Sequence, residues 1–206
     1  MRILHVTDFH FNKRWFDWLA AEAPDCDLIC HTGDFLDVFA NVPVPVQIRQ
    51  VSRWLARVRR PMVFCSGNHD VLLRHAPPGG CATAVSKTDG QDWGDFELGE
   101  DLRSGLLPAP DIVLSGHQHA PRSWHARCGA AVSFNPGFSA GSDVPNHIVL
   151  DLAARRRALW HVEGQPVGAL DLPDAPDPAA DDRIAARRRP RIAPGHPKHP
   201  CCEHEP

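Results

Sequence analysis

Three short apolar runs, each breaking off into a cluster of Asp, His, Asn and Gly, constrain this chain more than any other feature. Ile3 to Thr7 is rich in β-formers and stops at Asp8. Leu28 to His31 runs into Gly33-Asp34, and Met62 to Cys65 runs into Ser66-Gly67-Asn68-His69-Asp70. Apolar runs this short, bounded by turn residues, read as buried strands. Helical patterns lie between them. Trp15, Phe16, Leu19 and Ala20 share one face of a helix that Pro24 closes, and Ile48, Val51, Leu55 and Val58 mark an amphipathic helix over Val46 to Arg59 that Pro61 ends. The β-α-β-α-β alternation predicts a mostly parallel sheet covered by helices. The polar clusters then fall at the C-terminal strand ends, the edge where open α/β sheets bind ligands.

The second half is less regular. Pro77 to Gly105 is Gly-rich, with a short strand expected at Ala82 to Ser86 and a short helix within Leu98 to Leu107. Asp111 to Ser115 is a clear strand that runs into Gly116-His117-Gln118-His119. Arg122 to Cys128, Ala131 to Phe134, Asn146 to Leu152 and Arg157 to Val162 read as antiparallel strands joined by turns, Asn135-Pro136-Gly137 among them. The expected fold is α/β: a two-sheet mixed β-sandwich flanked by helices, in α-β-β-α layers. From Gln165 onward Pro, Ala, Asp, Arg and His dominate and apolar periodicity stops. Such a segment buries too little surface to offset its ordering entropy. A folded domain over 1–164 and a disordered tail over 165–206 are therefore expected.

Composition narrows the function classes. Apolar residues make up 43% of the 206, enough for a core, and the formal charge of −3 gives no strong pull toward nucleic acid or an anionic membrane. The N-terminal apolar run is too short for a signal peptide or a span, and no later segment is long and apolar enough. A cytoplasmic protein is expected. The seven cysteines contain no Cys-x-x-Cys pair and read as reduced thiols. Cys201 and Cys202, with His196, His199 and His204, could take a stray metal ion, and Arg187 to Arg189 form a small basic run; both read better as parts of a solvated tail.

The chemistry lies in four clusters: Asp8-Phe9-His10, Gly33-Asp34 with Asp37, Gly67-Asn68-His69-Asp70, and Gly116-His117-Gln118-His119. Loops at the ends of neighbouring strands meet in space, so these clusters can converge. Mixed imidazole, carboxylate and amide-oxygen donors suit Mn²⁺, Fe or Zn²⁺ better than Ca²⁺ or Mg²⁺. A carboxylate can bridge two ions, and two cations about 3.5–4 Å apart clamp a phosphoryl group and activate a water between them. The remaining histidines have no such company. His5 and His31 read as core-strand residues, His125, His147 and His161 as structural or surface, and Trp15, Trp18 and Trp54 as core.

Asp-x-His, Gly-Asp-x-x-Asp, Gly-Asn-His-Asp and Gly-His-x-His, in this order and each after a strand, resemble the calcineurin-like metallophosphoesterase superfamily. Asn135-Pro136-Gly137 also resembles its compact bacterial and archaeal phosphodiesterase branch. The resemblance covers about residues 1–162. It implies two divalent metal ions, Mn²⁺ foremost, with Fe, Zn²⁺ or Ni²⁺ as alternatives. Asp8, His10 and His119 would hold the first ion, Asp34 would bridge, and Asn68 and His117 would hold the second. His69 would lie outside the metal shell as general acid or transition-state stabiliser, with Asp37 and Asp70 orienting ligands. The implied reaction is hydrolysis of a phosphodiester or phosphomonoester by metal-bound hydroxide, acting on a small substrate.

One departure stands out. The family supplies a further histidine to the second ion from between Gly-Asn-His-Asp and Gly-His-x-His. Here that interval holds only His75, which follows Asp70 too closely. Asp89, Asp92 or Asp95 could replace it, or the second site is weak. The alternative function is thus a binding module with an incomplete second metal site. A nuclease ranks lowest, since capping domains and basic surfaces are missing; nucleic acid enters only as a small substrate. An exposed sheet edge leaves a homodimer open.

Overall fold

The computed structural model describes residues 1–67, 69–70, 110–128, 131–153 and 156–172. The first half follows the expected alternation: β1 (Arg2–Val6), α1 (Lys13–Ala21), β2 (Leu28–Thr32), α2 (Val44–Leu55) and β3 (Met62–Cys65). β1, β2 and β3 are parallel neighbours, with Ile3 opposite Leu28 and Ile29 opposite Met62. Six further strands follow: β4 (Ile112–Leu114), β5 (His125–Cys128), β6 (Ala131–Phe134), β7 (His147–Asp151), β8 (Arg157–Val162) and β9 (Gln165–Asp171). They form two sheets. The larger has the order β3-β2-β1-β7-β8-β9, and the smaller β4-β6-β5. β7 joins β1 antiparallel, so the large sheet is mixed.

Alternation along the central strands places a core on each face of the large sheet. Leu4 and Val6 of β1 and Val149 of β7 pack with Trp15, Phe16, Trp18 and Leu19 of α1 and Val51 of α2. Ile3, Ile148 and Leu150 face the opposite way and pack with Val132 and Phe134 of β6, Ala158 of β8 and Trp124. Burying each of these large side chains contributes ~1.5–3 kcal/mol. The layers are therefore helix, sheet, sheet. The strand expected at 82–86 and the helix expected within 98–107 lie outside the described residues.

Local chemistry sets the helix ends. Asn12 caps α1, its side-chain oxygen accepting from Arg14 N at 3.2 Å. α2 begins at Val44, two residues ahead of the expected start, because Pro45 is harmless in a first turn whose N–H groups have no helical partner. It stops at Leu55 rather than Arg59: Arg57 N donates to Trp54 O and Val58 N to Leu55 O, tighter turns that close the helix early.

The domain boundary expected at 164 is corrected. The compact unit runs Met1–Leu172, and β9 pairs antiparallel with β8 along Arg157–Asp171 to Val162–Gln165. Pro166 and Gly168, both poor strand formers, hid β9. It is an edge strand with a largely exposed surface, so it needs little apolar patterning, while Leu172 beyond it is 7% exposed and joins the core. The disorder expected of 173–206 falls outside the described residues. No helix among those residues is long and apolar enough to cross a membrane.

Candidate metal centre

Four loops at one edge of the sheets build the site, and backbone hydrogen bonds zip them together. Asp8 N donates to Gly33 O at 3.1 Å, His10 N to Asp34 O at 2.8 Å and Phe11 N to Phe35 O at 2.9 Å, so the loop after β1 lies along the loop after β2. Between the two polar residues, Phe9 points into the core at 0% exposure and meets Trp15, Phe16 and His31 edge-on. That anchor fixes Asp8 and His10 on the opposite side. Asp70 accepts from Phe35 N at 3.1 Å, Leu36 N at 2.9 Å and Gly67 N at 3.0 Å, tying the loop after β3 to the loop after β2. Its carboxyl is pushed up by burial, against the pull of these three N–H groups. Asp70 thus joins the two loops through their backbones.

Two glycines are required by close approach. A Cβ on Gly67 would sit 2.0 Å from Asp34 Oδ1, and one on Gly116 would sit 1.8 Å from Thr7 Oγ1 and 2.7 Å from Thr32 O. Asn135 braces the fourth loop, its Nδ2 donating to Gly116 O and Gln118 O at 3.2 and 3.3 Å. Asp8, His10, Asp34 and His117 all have positive φ, at 53°, 43°, 55° and 71°. Non-glycine residues adopt this region at an energetic cost and cluster there at functional sites.

The side chains converge. One potential ligand atom each from Asp8, His10 and His119 lies within 4.8 Å of the others. His10 Nε2 is 2.9 Å from His119 Nε2, and Asp8 Oδ1 is 4.0 and 3.8 Å from those two nitrogens. Two donors about 2.1 Å from a common ion stand about 3.0–3.4 Å apart, so a small closure of this triad fits a divalent transition metal. Asp34 Oδ2 is buried without a hydrogen-bond partner, while Oδ1 accepts from His69 N at 2.8 Å. A buried carboxylate oxygen left unsatisfied is costly unless something cationic completes it. Asp8 is buried as well. Burial first, and then the neighbouring Asp34 carboxylate, push its carboxyl up to about 7, although Thr7 and His117 N oppose the shift. Burial holds His10 down at about 4 and lowers His119, so both imidazoles are neutral and able to ligate. The residues present fit a metal.

His69 and Asp37 sit beside this triad. His69 Nδ1 accepts from Val38 N at 3.4 Å and is 3.8 Å from Asp37 Oδ1. The His69 ring meets His10 edge-on at 4.6 Å. The His117 backbone N donates to both Asp8 oxygens at 3.0 Å, but its side chain joins neither ligand cluster found among the described residues. Asn68 lies outside them, as do His75, Asp89, Asp92 and Asp95. Among the described residues, the structure thus brings the first expected ligand set together with Asp34 and His69 adjacent. Two residues were not foreseen. Phe138 lies against His119 at 4.7 Å and edge-on to His10 at 5.2 Å, forming an apolar wall, and Asn135 holds the histidine loop. The signal for both was the Asn135-Pro136-Gly137 turn, which sequence reading took as a connection and as a family resemblance, without a role at the site.

Comparison with known proteins gives the same frame. No curated protein matches the sequence. Among solved structures, YfcE, a phosphoesterase from E. coli, superposes with a TM-score of 0.50 at 18% identity, covering 84% of this chain and 100% of that one. Vacuolar protein sorting 29 from Cryptosporidium parvum gives 0.44 at 16% identity over 82% and 97% of the two chains. An archaeal phosphodiesterase gives 0.41 at 18% over 73% and 93%. At such identities the YfcE likeness shows the fold alone. The family model for calcineurin-like phosphoesterases matches residues 1–107, which carry three of the four clusters, and on that match the chain belongs to the calcineurin-like phosphoesterase family.

Proposed function

We propose that this chain hydrolyses a small phosphoester, a diester or a monoester, using divalent cations. The observation that carries the reading is the convergence of Asp8, His10 and His119 beside the unsatisfied Oδ2 of Asp34. In this reading those three residues hold one ion, Asp34 is shared, and Asn68 and His117 serve a second. When bound, the cations supply positive charge to the phosphoryl oxygens and acidify a water; Mn²⁺ is the first choice, with Fe, Zn²⁺ and Ni²⁺ as alternatives.

The protein's own groups do the rest. Asp8 and Asp34 bring negative charge that balances the cations. Phe138 and the buried loops keep bulk water from one side of the site. His69 stands at the rim of the triad. Its Nδ1 accepts from Val38 N, which leaves the proton of the neutral ring on Nε2, and Asp37 Oδ1 lies 3.8 Å away. It is placed to donate a proton to the departing oxygen. Three unpaired thiols, Cys26, Cys30 and Cys65, accord with a cytoplasmic setting.

The binding-module reading draws on the sequence between Asp70 and Gly116, where the further histidine of the family is missing. It leaves the placement of His69 without a use, and we rank it second. The test is Asp34→Asn, which keeps the side-chain shape and removes the charge. Turnover of bis-p-nitrophenyl phosphate with Mn²⁺ should fall at least a hundredfold while the melting temperature of the metal-free protein holds or rises. Undiminished turnover in a folded Asp34→Asn protein would refute the proposal.

A further inference from the structure

Asp37 and His69, together with His10, form a second cluster with the geometry of a metal site. One potential ligand atom each from His10, Asp37 and His69 lies within 4.8 Å of the others, the same span as in the Asp8 triad. The closest marked approach, 3.8 Å between His69 Nδ1 and Asp37 Oδ1, equals that between His119 Nε2 and Asp8 Oδ1. Both clusters are two imidazoles and one carboxylate. That donor set favours the late divalent transition metals, Zn²⁺ above Mn²⁺.

Two features make the cluster suited to a captured cation. The Asp37 side chain is 29% exposed, so an ion can reach it from solvent. The Nδ1 lone pair of His69 is engaged only by a long contact from Val38 N at 3.4 Å, so ligation displaces a weak hydrogen bond. The exposed ring of Phe39 stands edge-on to His69 at 5.4 Å.

We propose that His69, Asp37 and His10 form an inhibitory site for Zn²⁺ or a similar late transition metal, resting on the hydrolase reading above for its consequence. His10 belongs to both clusters. An ion that recruits it toward Asp37 withdraws it from Asp8 and His119. The enzyme would run on one metal and be silenced by excess of another.

The experiment measures binding apart from turnover. The Mn²⁺-loaded protein is crystallised and soaked in Zn²⁺, and anomalous diffraction is collected on both sides of the zinc edge. In parallel, bound zinc is counted by equilibrium dialysis for wild type, Asp37→Asn and His69→Ala. The expected result is a zinc peak between His69 and Asp37, with one equivalent of zinc lost in both variants and the zinc affinity of Asp37→Asn down at least tenfold. Zinc confined to Asp8 and His119, or equal zinc counts in all three proteins, overturns the proposal. A zinc peak at His69 in a protein that never turns over phosphoester would sustain the site and defeat the hydrolase reading instead.

Discussion

At the scale of single residues, the site depends on atoms that are missing as much as on those present. Gly116 lies where the fourth loop crosses Thr7 and Thr32, with no room for a methyl group. Gly116→Ala should destabilise the fold by about 1–3 kcal/mol, because a rigid hydroxyl and a backbone carbonyl must both move. It should also lower metal content, since the His117 N–H that steadies Asp8 is the next residue. Gly141→Ala is the control: nothing lies within 4 Å of its added Cβ, and its melting curve should match wild type. Thermal melts of the three proteins with and without Mn²⁺ check both statements. The side chains that meet at the candidate site were legible in sequence. Asp8, His10, Asp34 and His119 announce themselves by residue type and by position after strands. What periodicity could not reveal was Phe138 as a wall, because an aromatic residue in a loop has no pattern to read.

At the scale of elements, the lesson is carried by β1 and β9. Ile3 to Thr7 reads as a strand because it is buried on both faces, and its apolar run is nearly unbroken. β9, Gln-Pro-Val-Gly-Ala-Leu-Asp, has one neighbour and mostly exposed side chains, so its pairing with β8 is invisible to hydrophobic periodicity. Gly168 has a further reason to be glycine: the Trp124 indole lies 3.0 Å from where its Cβ would be. A chain ending after residue 164 should therefore melt about 10 °C below one ending after residue 172, from the loss of the strand pairing and of buried Leu172. Equal melting temperatures would mean that β9 contributes nothing to the unit's stability. Expression of the two truncated chains and calorimetry decide it.

At the scale of the whole molecule, the fold carries buried neutral histidines. His5 and His31 are fully buried in β1 and β2, and burial holds both down at about 3; His147 is held at about 4. Unfolded, each binds a proton near 6.5. The unfolded chain thus binds more protons than the folded one between 6.5 and about 3. The stability these groups permit is complete above 6.5 and is lost as pH falls through that window, by about 1.4 kcal/mol per histidine per pH unit. His31 isolates the effect, because neither ring nitrogen has a hydrogen-bond partner and Phe35 stacks on its face at 3.9 Å. His31→Leu should leave stability at pH 7.5 nearly unchanged or raised, and should flatten its decline toward pH 5.5 by about 1.4 kcal/mol. Urea unfolding at the two pH values gives the answer, and parallel slopes for the two proteins would exclude His31 as a source.

The left-handed backbone at Asp8, His10, Asp34 and His117 has one more implication, for the experimenter and for drift in the gene alike. Asn, Asp and His tolerate that conformation better than other side chains that carry a Cβ, and β-branched residues tolerate it least. Alanine scanning at these four positions therefore mixes two signals, a removed ligand and a released backbone. Asparagine in place of either aspartate removes only the charge. For the same reason a single-base route from Asp to Val or Ala is penalised twice, and a lineage that loses catalysis is expected to pass through Asn or Gly first, with its loops still in the shape of a working site.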